Sequence, residues 1–181
     1  TVLYMNSGDL ISNTFCFSKF NKKLNHKVTN NIIFCDFKHR LDDLSFHISM
    51  KKIVQEKSWW NRKLPSHQAV FMPANYLKQN KFNEDLKISA DTLFLRSAFS
   101  QINSIYYNNV LCEFFLGGVS TYPKSVNDII MHHRELKITR NFSVKESLLT
   151  YLSLLRRMIL IRIFGFKLYY RLVWSVKEYF S

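Results

Sequence analysis

Thr1-Val2-Leu3-Tyr4-Met5-Asn6-Ser7-Gly8-Asp9 is an apolar run that stops at a polar turn. The run reads as a buried strand already under way, so the chain reads as beginning inside a fold. Asn-Ser-Gly-Asp suits a tight turn, because glycine tolerates positive φ while the amide, hydroxyl and carboxylate stay exposed. An exposed carboxylate beside such groups offers hard oxygen ligands for Mg²⁺ or Mn²⁺ holding a diphosphate, although the same composition also makes an ordinary turn.

Beyond the turn, Ile11 to Lys23, behind Ser12 or Asn13 as cap, predicts a short helix. Val28 to Phe37 is β-branched and aromatic and Leu44 to Met50 alternates, so two antiparallel strands are expected. Lys51 to Lys63 reads as a long basic connection carrying Trp59 and Trp60, and Gln68 to Met72 as a short strand. Pro73 opens a helical turn, and Ser89 caps a clearer helix with Leu93, Phe94, Ala98 and Phe99 at helical spacing. Ser104 to Tyr107 and Val110 to Leu116 read as strands around an Asn108-Asn109 turn. From Ser125 the pattern is helical, interrupted near Asn141-Phe142-Ser143, where Ser143 and Glu146 form a capping box. The expected division is mixed α/β over 1–124 and a helical tail over 125–181.

The chain has 181 residues, 47% of them apolar and 15% aromatic, which suits one domain with a core and excludes a disordered or collagen-like chain. A net charge of +13 predicts an anionic partner: nucleic acid, anionic lipid or a phosphorylated substrate. Cys16, Cys35 and Cys112 form no CxxC pair and sit among apolar neighbours, as expected of buried free thiols in a reducing cytoplasm. No signal peptide is read in the first ten residues, and Arg162 breaks the most apolar stretch, Met158 to Phe166, so no membrane span is expected.

Three further segments carry candidate chemistry. His67 and Gln68, in Leu64-Pro65-Ser66-His67-Gln68, offer an imidazole and an amide that can grip a phosphate or a sugar hydroxyl, or simply fill a loop. Asp91 stands in the first turn of the helix after Ser89, where the macrodipole favours the ionised form and a carboxylate can act as general base; a plain helix-start aspartate looks the same. Gly117-Gly118 follows a buried strand, which lets a ligand approach the backbone closely or makes a tight turn.

In order, the strand with Asn6-Ser7-Gly8-Asp9, then LPSHQAVF (64–71), FNEDLKISADTLFLR (82–96) and FFLGGVST (114–121), resembles the family 2 glycosyltransferases with a GT-A fold. Among them it is most similar to the enzymes of colanic acid and related exopolysaccharide synthesis. The resemblance covers 1–121, about two thirds of the chain. It implies a partial GT-A mixed sheet with helices, followed by C-terminal amphipathic helices. It also implies inverting transfer from a nucleotide-sugar donor to a saccharide or lipid-linked acceptor. Asp9, with Asn6 beside it, takes the part of the metal and donor-diphosphate ligand, and Asp91 that of the catalytic base. His67, Gln68, Arg96, Gly117 and Gly118 line the cleft or meet the acceptor. Many members carry more carboxylates in the first turn; with Asp9 alone here, the donor phosphates have to complete the coordination of Mg²⁺ or Mn²⁺. The family's donor-binding half precedes this turn and has no counterpart in the chain, so the resemblance implies a C-terminal portion, expected to be inactive or poorly soluble when isolated.

In the tail, Leu148, Leu152, Leu155, Ile159, Ile163, Phe166, Tyr170 and Val173 form an apolar stripe, with Arg156, Arg157, Lys167 and Arg171 beside or opposite it and Arg162 and Lys177 within it. From Arg134 to Ser181 there are ten basic and three acidic residues, a net +7. That pattern suits a helix on an anionic membrane surface, peripheral to the inner face of the plasma membrane, or a helix packed on its own domain. Two other readings compete: an inactive truncated or partner subunit of such an enzyme, and a nucleic-acid-binding module, which +13 and the Trp59-Trp60-Asn61-Arg62-Lys63 cluster motivate although no nucleic-acid motif supports it.

Overall fold

A computed structural model describes residues 1–6, 8–24, 27, 29–42, 44–55, 58–61, 63–117, 121–140 and 142–179, with side chains to 174. The chain is mixed α/β and divides into two compact units: 1–85 with 90–115, and 86–89 with 116–181.

The first unit is built on a mixed sheet of six strands: β1 (Val2–Leu3), β2 (Leu10–Ile11), β3 (Ile32–Leu41), β4 (Leu44–Ile48), β5 (Val70–Met72) and β6 (Ser104–Phe115). Strand order is β1-β5-β3-β6-β2, with β4 also paired to β3. β3 runs parallel to β6 and antiparallel to β4 and β5. The expected β3–β4 pairing is present, with Phe37 opposite Ile48 and Leu41 opposite Leu44. β3 is central because Ile32, Ile33, Phe34 and Cys35 are apolar without alternation, which suits a strand covered on both faces, and all four are buried. Phe34 packs among Trp59, Phe99 and Tyr106, with ring centroids 4.8, 5.4 and 5.5 Å away. A second cluster joins Phe15, Phe20, Phe71 and Tyr107.

Several expectations are corrected here. Leu10–Ile11 is the strand β2, paired with Glu113 and Cys112, so the first helix, α1 (Phe17–Leu24), starts six residues later than its periodicity suggested. Asn108-Asn109 is no hairpin turn: β6 is one strand, and the register slips between Cys35 and Asp36, so the two asparagines bulge out. Gln68 lies in a 3₁₀ turn, His67–Ala69, rather than in β5. Trp59 is buried in the core, which removes it from any nucleic-acid surface, and Arg62 of the same cluster lies outside the described residues. Cys35 and Cys112 are buried and burial pushes both thiols up, whereas Cys16 is half-buried. After β5 come α2 (Ala74–Gln79), behind Pro73, and α3 (Ala90–Gln101), which holds Asp91 in its first turn.

The second unit is helical: α4 (Val126–Arg140), α5 (Val144–Phe164) and α6 (Phe166–Tyr179). Ser143 and Glu146 make the expected capping box at the start of α5; Asn141 lies outside the described residues. Gly165, at φ 77°, ends α5 in a conformation that favours glycine, a break the helical pattern does not announce. Ile129, Leu154 and Met158 form the core of this unit, with Leu136, Tyr151 and Leu155 against it. Glu135 of α4 is buried, and its carboxylate accepts the backbone N–H groups of Lys87, Ile88 and Ser89 at 2.8, 2.8 and 2.7 Å. Ser89, expected as a helix cap, is thus held through its own N–H. Among the described residues, no helix is long and apolar enough to cross a membrane.

Candidate active site

β1 pairs antiparallel with β5, Val2 opposite Met72 and Leu3 opposite Phe71, so the turn that leaves β1 and the turn that enters β5 lie at one end of the sheet. The turn after β1 closes on itself: Asn6 N–H donates to Asp9 Oδ2 at 3.1 Å, Asp9 N–H donates to Asn6 O at 3.1 Å, and Gly8 takes φ 92°. Ser7 lies outside the described residues.

The turn before β5 supplies two adjacent side chains. Ala69 N–H donates to Ser66 O at 2.9 Å, winding the chain so that His67 and Gln68 diverge. Gln68 is buried, and its Nε2 donates to Asp9 Oδ2 at 3.0 Å while its Oε1 accepts from the Ser66 hydroxyl. His67 Nδ1 donates to Asp91 Oδ2 at 2.7 Å. Two neighbouring residues therefore tie together two carboxylates that stand 82 positions apart in sequence.

Asp91 is held from its own helix as well. Thr92 N–H donates to Asp91 Oδ1 at 2.7 Å, and the Thr92 hydroxyl reaches the same oxygen at 3.4 Å. Burial alone would raise the Asp91 carboxyl. The hydrogen bond and charge of His67, with the two Thr92 bonds, outweigh it and hold the group below the ordinary aspartate range. Asp91 is thus an ionised carboxylate at the start of a helix, and its Oδ2, which accepts from His67, keeps a second lone pair for an incoming hydroxyl. Among the described residues, His67 Nε2 makes no hydrogen bond.

Arg96 is half-buried on α3, five positions beyond Asp91 and so turned about 140° around the helix from it. Gly117 belongs to the helical unit, where it takes φ 144° and donates its N–H to Thr121 Oγ1 at 3.0 Å. Gly118 lies outside the described residues.

The residues present do not by themselves build a cation site. Among the described residues, no group of three or more His, Cys, Asp or Glu side chains converges, and Asp9 is alone in its turn, with one oxygen already accepting two N–H groups. No family model, curated protein or solved structure matches the chain.

One constellation went unread in the sequence. Asp36, buried in β3, accepts Met50 N–H at 2.8 Å and the Tyr106 hydroxyl at 2.8 Å, and meets His47 Nε2 at 3.1 Å. An aspartate inside Ile32-Ile33-Phe34-Cys35-Asp36-Phe37 was the available signal, since a carboxylate in a central strand needs partners.

Proposed function

We propose that the chain carries the acceptor side of a glycosyltransferase of GT-A type, in which Asp91 takes the proton of an acceptor hydroxyl as that oxygen attacks the anomeric carbon of a nucleotide-sugar. The supporting observation is the pair of adjacent links, Asp9–Gln68 and His67–Asp91, which joins residues from three separate motifs. In this reading His67 orients the carboxylate and keeps it ionised, and Gln68 fixes the Asp9 turn beside it. As the new carbon–oxygen bond forms, the bond to the nucleoside diphosphate breaks and the electron pair leaves with the phosphate; single displacement inverts the anomeric carbon. A Mg²⁺ or Mn²⁺ ion, where one takes part, would be held by Asp9 together with the donor diphosphate and would neutralise charge on the leaving phosphate.

The test is nucleotide-sugar turnover by the polypeptide expressed from its complete reading frame. Release of nucleoside diphosphate with acceptor glycosylation is expected, lost on Asp91→Asn. Turnover that survives Asp91→Asn, or no turnover with any nucleotide-sugar, overturns the reading, and in the second case the inactive-subunit alternative takes its place.

A membrane-surface acceptor fits the tail. α5 buries Leu154, Met158 and Ile161 on one side and leaves Leu148, Leu152, Ile159 and Ile163 exposed on another. The expected stripe is therefore split: on α5 Leu148, Leu152, Ile159 and Ile163 are uncovered while Leu155 packs inward, and on α6 Tyr170 is buried. Residues 147–177 hold no Asp or Glu and six Lys or Arg, so charge complementarity points to an anionic leaflet as what covers the exposed stripe. Co-sedimentation with phosphatidylglycerol vesicles is expected at low salt, weakened by high salt and by Leu152→Glu. Binding that ignores lipid charge, or a dimer dispersed by Leu152→Glu, shows another occupant.

A further inference from the structure

We infer that Glu135 is a positioning residue for Asp91, acting through the backbone of residues 87–89. The inference rests on the proposed transfer reaction for the role it gives Asp91 as base. Residues 86–89 belong to the helical unit although the sheet unit flanks them in sequence on their N-terminal side, and the chain returns to the sheet unit at Ala90. Asp91 is the second residue of α3, two positions beyond Ser89. The helical unit therefore ends its hold on the chain immediately before the residue that carries the chemistry.

That hold runs through one carboxylate. Glu135 Oε1 accepts Lys87 N–H, and Oε2 accepts Ile88 N–H and Ser89 N–H. Glu135 and Ser89 are both buried, so water is a poor substitute acceptor at Ser89. Hydrogen bonds are directional and peptide units are planar, so three consecutive N–H groups on one carboxylate fix the orientation of three successive peptide planes. Only two further planes separate the last of them from Asp91. The acceptor lies 46 to 48 positions along the chain, so no local cap supplies this hold, and where α3 begins depends on α4. At the other end the tolerance is small: His67 Nδ1 donates to Asp91 Oδ2 at 2.7 Å, and a displacement of about 1 Å would break that bond.

The experiment follows the Asp91 carboxyl carbon by NMR through an acid titration of the full chain, beside turnover per folded molecule. Burial raises this carboxyl, and the His67 and Thr92 bonds outweigh burial, so a loosened His67 bond moves the midpoint up. Glu135→Ala should raise the midpoint and lower turnover by roughly ten- to a hundredfold. Glu135→Gln, which keeps one acceptor oxygen, should do both to a smaller extent. Ile129→Val, which trims the core of the same unit, should lower stability and leave the midpoint and the turnover per folded molecule as they are. An unchanged Asp91 midpoint in the glutamate variants, or an equal rise in Ile129→Val, overturns the inference; where Glu135→Ala does not fold, Glu135→Gln decides. The midpoint is read without substrate, so a shift in a chain that shows no turnover overturns the transfer reaction and supports the placement of Asp91 by Glu135.

Discussion

Two Asp–His pairs lie in the sheet unit, and they are built for different ends. Asp36 is 2% exposed and accepts from Met50 N–H, the Tyr106 hydroxyl and His47. Burial, followed by the Asp36 hydrogen bond, pushes the Tyr106 phenol up to about 12, so it remains a donor to that carboxylate. Asp91 is 36% exposed, at a helix start, and its partners are the adjacent Thr92 and one imidazole whose far nitrogen makes no hydrogen bond among the described residues. The same two residue types thus make a closed structural clamp in one place and an open acceptor in the other. What separates them is the exposure of the carboxylate to solvent, not residue identity.

The sharpest way to break this comparison is to remove each acid. Asp91→Asn should lower transfer by about 10²–10⁴ while the chain still folds, read as turnover per folded molecule. Asp36→Ala should do the opposite, costing about 3–5 kcal/mol in thermal or denaturant unfolding while the surviving folded fraction keeps its turnover. If Asp36→Ala folds normally and loses turnover, the roles assigned to the two pairs are reversed.

In the helical unit, Glu135→Ala leaves the N–H groups of Lys87, Ile88 and Ser89, the last of them buried, without their acceptor and should cost about 3 kcal/mol, with Glu135→Gln, which keeps one carbonyl oxygen, losing less. The smallest effect is in the pH dependence. Because the folded-state pKa of Asp91 is depressed, its ionised form contributes stability above the ordinary carboxylate pKa of about 3.9, and that contribution is lost as pH falls through and below this value. The stability gap between the natural chain and Asp91→Asn should therefore be widest near neutrality and close on acidification. A gap that widens toward acid would mean that His67 does not hold the Asp91 carboxylate in its charged form.

Much of the site could be read residue by residue. Asp9, His67, Gln68 and Asp91 were each singled out by local composition: a glycine turn, a segment before a strand, a helix start. That they touch could not be read, because it depends on the pairing of β1 with β5 and on where α3 begins relative to both. The Asn108-Asn109 pair was misread for a similar reason. Two asparagines between apolar runs fit a hairpin turn, but parallel pairing with β3 carries the strand through and absorbs them as a bulge. Trp59 looked like a surface aromatic in a basic loop, and the face of Phe34 took it into the core.

Sequence by itself determined the mixed α/β character, the buried run of β3, the capping box at Ser143 and the basic, acid-poor tail, since periodicity, capping and net charge are local or additive properties of a chain. Tertiary structure alone decided which carboxylates are satisfied. Glu135 sits between Arg134 and Leu136 as any surface glutamate might, and only the backbone of 87–89 makes it a buried anchor. Hydrogen bonding is short-ranged and directional, so the state of a polar group is set by neighbours that the fold brings within about 3 Å, and no order of residues along a chain states that distance.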